Sequence, residues 1–462
     1  MEIEGAIETA QKNREAHLAT LKEFLSIPSI STLSEHQPDV QRAADWLADR
    51  LRKLGFDGVE IVPTERHPVV YGEWLKAPGK PTVVVYGHYD VQPVDPIDEW
   101  TSDPFQPTIR GDDIFARGAA DMKGQIISFL QAVEALMKHG GLPVNLKLLW
   151  EGEEEIGSPG LPGFLDKYRK KLDCDAVLVC DAPIENPDIP ALDVSLRGNA
   201  FFELEIRGPK KDLHSGVFGG SVHNPLQVLC ELIAGMHDED GRVTLPGFYD
   251  KVRDLTSEER EALLRAPYSD EAWKKETGVP ALWGEKGYST LERVGTRPTL
   301  EICGATGGFT GEGAKTVIPA RASAKISIRL VPNQDSGEVY EQLSGYLSQN
   351  APDTVSWELE ELHHAPASAV NLESKVIRAA AQSLEEVWGV PPIHRREGGS
   401  VPVVGLLQKM LASELVLMGF AMPTDGIHGP NEKLHLPNFF RGIETYVRFL
   451  FHLSEDNDKT SS

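Results

Sequence analysis

Residues 82–93 read TVVVYGHYDVQP. The run Thr82–Tyr86 is β-branched and has no polar face, so as a strand it is covered on both sides, the pattern of a parallel sheet between helices. After Gly87 come His88 and Asp90, two polar groups that point to the same side of an extended segment. A buried strand that delivers polar side chains at its C-terminal end is where α/β sheets place their ligands.

Working outward, Val59–Val62 and Val69–Gly72 are short β-type runs. Ala43, Trp46, Leu47, Leu51 and Leu54 predict an amphipathic helix stopped by Gly55. Ile7, Ala10, Leu18, Leu21 and Leu25 predict one helical run that Pro28 ends. On the other side, Gln125–Lys138 predicts a helix, and Asn145–Trp150 and Asp175–Cys180 predict buried strands. Strands alternating with helices give an α/β domain with a mixed, largely parallel sheet. The texture changes near Asp193. Phe201–Arg207, Ala322–Leu330 and Val355–Glu360 alternate apolar and polar residues, as strands with one wet face do. With Thr299–Cys303 as a further strand, and helices over Asn224–Met236 and Ser336–Gln349, they predict an α+β unit. The stretch 245–299 shows no readable pattern. Val376–Trp388, Val401–Leu411, Leu415–Gly419 and Phe439–Leu453 then resume the first rhythm. The expected organisation is one α/β domain, 1–193 and 376–462, interrupted by an inserted α+β domain, 194–375.

The 462 residues carry 46 Lys+Arg against 70 Asp+Glu, a net charge of −24. That balance argues against nucleic acid, whose phosphates are held by Lys and Arg, and it suits a site for cations. No stretch approaches the roughly 18–20 apolar residues of a membrane span, so no membrane partner is expected. The N-terminal MEIEGAIETAQKNREAH is acidic and lacks the apolar centre of a secretory signal. Cys174, Cys180, Cys230 and Cys303 form no C-x-x-C pair and are too scattered for a disulfide framework. The expected compartment is the cytoplasm.

Five places carry chemistry. His88 is either a metal ligand that Asp90 orients or a turn histidine bonded locally. Asp121, in ARGAADMKG, is either the N-cap of the helix that follows or a carboxylate shared by two ions. Glu151, Glu153, Glu154 and Glu155 crowd the end of a buried strand, where their repulsion calls for solvent or cations. One of two adjacent glutamates there can bind a metal while the other faces a reacting water. Asp181 ends a buried strand, and His428 sits in the Gly-rich loop DGIHGPNEKLHL. Separately these are ordinary turn and loop residues. Together, three carboxylates and two histidines suit two borderline divalent ions such as zinc.

At these residues the sequence resembles the co-catalytic zinc peptidases and amidohydrolases that include carnosinase, aminoacylase and carboxypeptidase G. It is closest to the bacterial carnosinase-like dipeptidases, through GHYDVQP, EGEEEIGSPG, DLHSGVFGG, GAKTVIPA, IRLVPNQ, REGGSVPV and IHGPNEKLHL in that order. The resemblance implies a zinc aminopeptidase-like catalytic domain with an inserted lid and dimerisation domain. It also implies two divalent ions per subunit, zinc in the first place, with manganese and cobalt compatible. His88, Asp121, Glu155, Asp181 and His428 resemble the metal ligands, with Asp121 bridging. Glu154 resembles the general base and Asp90 the group that orients His88. By the same likeness the bond Asp121–Met122 is cis, and His214 reaches from a dimer partner to the transition state. Arg329, Ser400 and Thr316 resemble substrate contacts, Arg329 receiving a terminal carboxylate as a planar bidentate donor can. His363 and His364 both match an additional lid histidine. The implied activity is hydrolysis of dipeptides by a cytoplasmic homodimer. The alternatives are an N-acyl amino acid deacylase of the same fold and a non-catalytic metal-binding relative.

Overall fold

The computed structural model describes residues 3–399 and 401–455. The chain divides into two compact units, Met1–Val194 with Val370–Arg395 and Leu406–Ser462, and Ser195–Ala369 with Arg396–Gly405. The segment Arg396–Gly405 thus falls in the second unit, although sequence grouped it with the first. Local bonds account for this: Arg396 Nη2 donates to Glu259 Oε1 at 2.8 Å, and Arg197 Nε donates to the Gly398 carbonyl at 3.0 Å.

In the first unit the strands lie in the order Asp57–Val62, Val69–Trp74, Asn145–Glu151, Thr82–His88, Ala176–Val179, Glu414–Leu417 and Ala191–Leu196. The pairings among Asn145–Glu151, Thr82–His88, Ala176–Val179 and Glu414–Leu417 are parallel, and the outer ones are antiparallel. Val83, Val84 and Val85 are fully buried, as a run without a polar face requires. Each such branched side chain contributes about 1.5–3 kcal/mol by leaving water. Helix Lys123–Lys138 is buried along most of its length, with Ile126, Phe129, Leu130 and Val133 in one core with Phe439, Ile443 and Tyr446 of helix Leu436–Ser454.

The N-terminal helical run is two helices, Ile3–Lys12 and Arg14–Leu25, because Asn13 leaves helical geometry at φ −87° and ψ 30°. Asparagine competes with the helical backbone for hydrogen bonds, and this break corrects the single run expected. A small antiparallel sheet, Thr108–Arg110 with Asp113–Phe115 and Lys433–His435, joins two distant stretches.

The second unit is built on the antiparallel order Thr299–Gly307, Arg321–Leu330, Gly198–Arg207 and Ser356–Ala365. Alternate residues of Gly198–Arg207 are buried, and Phe202, Leu204 and Ile206 share a core with Val228 and Leu232 of helix Pro225–Ala234 and with Val339 and Leu343 of helix Ser336–Asn350. The stretch without a readable pattern holds three short helices, Ser257–Leu263, Asp270–Thr277 and Thr290–Gly295.

Candidate metal centre

The parallel strands end side by side, and their ends, with two neighbouring loops, supply the candidate centre. His88 closes Thr82–His88 in register with Glu151, which closes Asn145–Glu151. A single 3₁₀ turn, Glu154–Ile156, follows and is closed by Gly157 at φ +86°. Asp181 comes just after Ala176–Val179. Asp121 lies ahead of helix Lys123–Lys138, and His428 lies in the loop ahead of Lys433–His435.

Asp121 is not the helix cap: the N-cap position is Met122, without a capping side-chain bond. Its two oxygens face two histidines instead, Oδ1 at 2.9 Å from His88 Nε2 and Oδ2 at 3.0 Å from His428 Nε2. Asp181 Oδ2 is 3.8 Å from His88 Nε2, and Glu155 Oε2 is 3.2 Å from His428 Nε2. The result is two groups sharing one residue, His88, Asp121 and Asp181, and Asp121, Glu155 and His428, with ligand atoms in each within 4.8 Å of one another. The Asp121–Met122 peptide is cis. Mixed imidazole and carboxylate donors fit borderline divalent ions, and a carboxylate common to both groups fits a bridge between them.

The electrostatics agree. Burial, with the Asp121 charge added, pushes the Asp181 carboxyl up to about 7. Burial raises Glu154 well above the usual carboxylate range, and Asp181, Glu155 and Asp121 add to this while His88 opposes it. Asp121, despite its burial, is held well below that range by hydrogen bonds from His428 and His88. Carboxylates crowded out of water are stabilised by cations among them.

Residues 84–452 match the peptidase family M20/M25/M40. The chain belongs to this family. It is 33% identical to the Cys-Gly metallodipeptidase dug1 of Schizosaccharomyces pombe, over 98% of this chain and 99% of that protein. It is 30% identical to the human Beta-Ala-His dipeptidase, over 98% of this chain and 93% of that protein. Among solved structures, an M20 family metallo-carboxypeptidase of Sulfolobus solfataricus, Sso-CP2, superposes with a TM-score of 0.82 at 36% identity, over 95% of this chain and 99% of that one.

Around the centre of this family member, buried acids act as anchors. Asp90 accepts the backbone N–H of Glu154 at 3.2 Å and of Glu155 at 3.1 Å, and its Oδ1 lies 3.4 Å from His88 Nδ1. Glu153 accepts from Thr64 Oγ1 and from the N–H groups of Arg66, His67 and Gly160. Glu151 accepts from the Tyr86 hydroxyl at 2.6 Å and from Ser158 Oγ at 2.9 Å. The acidic run is therefore sorted by direction, Glu151 and Glu153 bracing the turn that carries Glu154 and Glu155. Sequence reasoning passed over Gln92, whose Nε2 donates to Glu155 Oε2 at 2.7 Å, and over Arg117 and Glu432. The signal for Gln92 was its place in the same loop as Asp90.

In the second unit, strand pairing Leu213–His214 with Val317–Ile318 brings His214 beside Thr316. His214 is exposed, its Nδ1 accepts from Gly216 N at 3.0 Å, and its Nε2 lies 3.5 Å from Thr316 Oγ1. Arg329 sits in strand Arg321–Leu330 and lines a cavity of about 280 Å³ with Arg197, Thr299 and Glu301. His363 stacks on Phe201, whereas His364 pairs with Glu361 at 2.9 Å. Ser400 lies outside the described residues.

Proposed function

We propose that this chain is a metal-dependent dipeptidase that hydrolyses the amide bond of a dipeptide through Glu154 as general base. The observation that carries the reading is the pair of ligand groups joined at Asp121, with Glu154 half-buried beside them. The activities named for its relatives, Cys-Gly metallodipeptidase and Beta-Ala-His dipeptidase, support dipeptides as the substrate class.

In this reading His88, Asp121 and Asp181 hold one divalent ion, and Asp121, Glu155 and His428 hold another. Bound there, the ions, zinc with manganese or cobalt also compatible, supply Lewis acidity that polarises the scissile carbonyl and eases deprotonation of water. Glu154 takes a proton from the attacking water and delivers it to the leaving amine nitrogen. Asp90 keeps Glu154 aimed by holding its backbone N–H.

The second unit supplies substrate contacts in this reading. Since Nδ1 of His214 accepts a hydrogen bond, a neutral ring carries its proton on Nε2 and can donate to a developing oxyanion. We assign that role in trans, within a homodimer formed through the inserted domain. Arg329 anchors the terminal carboxylate, with Thr316 and Ser400 beside the substrate. Among the described residues no helix is long and apolar enough to cross a membrane, and the four cysteines are unpaired, which suits a cytoplasmic enzyme.

The test is a panel of free dipeptides and N-acyl amino acids, assayed with chelator-stripped protein and with zinc or manganese restored. Metal-dependent release of amino acids from dipeptides is the expected result. Activity confined to N-acyl substrates would make the chain a deacylase. Silence under every metal would leave a non-catalytic metal-binding protein.

A further inference from the structure

We propose that the buried pair Arg117–Glu432 is a positioning lock that sets the two oxygens of Asp121 and the ring of His428 before any ion arrives. The inference rests on reading Asp121 and His428 as metal ligands, and it concerns two residues that touch neither ion nor substrate in that reading.

Sequence places Arg117 and Glu432 far apart, in ARGAADMKG and IHGPNEKLHL. Antiparallel pairing of Asp113–Phe115 with Lys433–His435 closes that distance, and Ala116 N donates to the Glu432 carbonyl at 3.1 Å. Both side chains are almost fully buried, at 1% and 0% exposure. A buried ion pair is tolerable only when its remaining lone pairs and protons find partners. Here all but Arg117 Nε find the backbone around the centre. Glu432 Oε2 accepts from Arg117 Nη1 and from Gly118 N, each at 2.9 Å. Its Oε1 accepts from Ala120 N at 2.9 Å and from Asp121 N at 3.1 Å. Arg117 Nη2 donates to the Pro93 carbonyl at 2.8 Å and to the His428 carbonyl at 3.2 Å.

The pair thus fastens three segments: the loop after Asp90, the turn that carries Asp121, and the loop that carries His428. Two of the fastened positions are ones a backbone would otherwise avoid. Gly118 has φ +81°, and a Cβ there would lie 2.6 Å from Val91 Cγ1. His428 itself has φ +63°, in the left-handed region that a side chain disfavours. A carbonyl held in that conformation by a buried guanidinium fixes where the imidazole points. Lysine, a point charge without a planar fork, cannot make the same set of bonds.

The test is a visible-absorption titration with cobalt(II) alone, resolving the two stepwise affinities of chelator-stripped protein, with thermal unfolding of the same samples. Arg117→Lys keeps the Glu432 charge compensated but drops the link to His428. We expect it to weaken the ion held with Glu155 and His428 about tenfold to a hundredfold, the loss typical when an orienting partner of a metal ligand is removed. The ion held with His88 and Asp181 should change much less. Glu432→Gln, which disturbs the N–H groups of the Asp121 turn, should weaken both ions and alter the cobalt band positions. A purely structural pair would lower the melting temperature while leaving the ratio of the two affinities of Arg117→Lys, and both affinities of Glu432→Gln, as in the wild type. That outcome, or unchanged affinities in a folded Arg117→Lys protein, overturns the lock. Failure of the wild type to bind two cobalt ions would instead overturn the reading of the ligands.

Discussion

Oδ1 of Asp90 accepts the backbone N–H of Glu154 at 3.2 Å, so the carboxylate beside His88 also fixes the position of the proposed base. The other oxygen holds Glu155 N at 3.1 Å. One buried side chain thereby ties a histidine at the end of one strand to the turn at the end of its neighbour. The distance between a ligand and the base is then a property of the sheet, not of two independent loops.

If Glu154 moves the proton and does not hold an ion, Glu154→Gln separates chemistry from binding. The amide keeps the shape but cannot accept a proton. Metal content per chain should stay at the wild-type level while turnover falls about 10²–10⁴-fold, the usual worth of a general base. Elemental analysis beside a dipeptide assay reads both. Turnover within a factor of a few of wild type would remove Glu154 from the role.

Asp90→Asn should act on both sides of its bridge. Asparagine keeps one acceptor oxygen for two N–H groups, so one of the bonds to Glu154 and Glu155 is lost and the turn shifts, while His88, whose Nδ1 stays 3.1 Å from the Asp90 backbone carbonyl, loses the negative charge beside it. Metal affinity should drop about 10–100-fold. Turnover should remain depressed even at saturating metal, because the base has moved. Full recovery with excess zinc would confine Asp90 to orienting His88.

The strand TVVVYGH and its neighbours were legible because continuous apolar runs admit few other placements, and His88, Glu155 and Asp181 stood out as candidate ligands because they follow the ends of such strands. Asp121 was ambiguous, since the same position serves a cap or a bridge; the structure places Met122 at the cap, and the divergence of the Asp121 oxygens toward His88 and His428 suits the proposed bridge. The short helices of 245–299 escaped notice although two of them carry capping boxes, Thr256 with Glu259 and Ser289 with Glu292. Their hydrophobic periods are too short to stand out, but the Ser/Thr-x-x-Glu spacing was there to be read. Glu432 could not be read. Its meaning depends on a strand pairing across more than three hundred residues, and nothing local distinguishes it from a solvated loop acid.

The metal-free centre should hold protons that an ion displaces. Hydrogen bonds to Asp121 and Glu155 push His428 up to about 10. Burial pulls His88 down, yet Asp121 and Asp90 leave it well above its usual value. Metal requires neutral imidazole, so binding at pH 7 should release protons, and affinity should strengthen as pH rises. For His428, the folded metal-free state binds more protons than the unfolded one between about 6.5 and about 10, so stability from this group is lost as pH rises through that window. Asp181, raised to about 7, acts in the same direction at lower pH. Calorimetry of zinc binding in buffers of different ionisation enthalpy reads the protons directly. Zero release at pH 7 would mean that the histidines are already neutral.

Arg329 should matter in proportion to the charge it meets. Loss of a charged hydrogen bond costs about 1.5–3 kcal/mol. Arg329→Ala should therefore raise KM for free dipeptides by about 10–100-fold. C-terminally amidated dipeptides, already poor substrates, should be nearly indifferent to the change. An equal loss on both would show that the guanidinium does not receive the carboxylate.

The proposed trans action of His214 yields a result that no arrangement within one chain can produce. His214→Ala and Glu154→Gln homodimers should each be close to inactive, for different reasons. After subunit exchange, a mixed dimer contains one chain with an intact base and a partner with an intact histidine. If the histidine serves the partner's centre, that combination restores one complete site per mixed dimer. With equal amounts and random pairing in a twofold-symmetric dimer, about one quarter of all sites recover. If the histidine serves its own chain, each site in the mixed dimer lacks one of the two groups, and mixing restores nothing. The readout is dipeptide turnover before and after exchange, with light scattering to establish that the species is a dimer. Recovered activity requires the crossover. Its absence, in a population shown to have exchanged, returns His214 to the local role that its bond to Gly216 already describes.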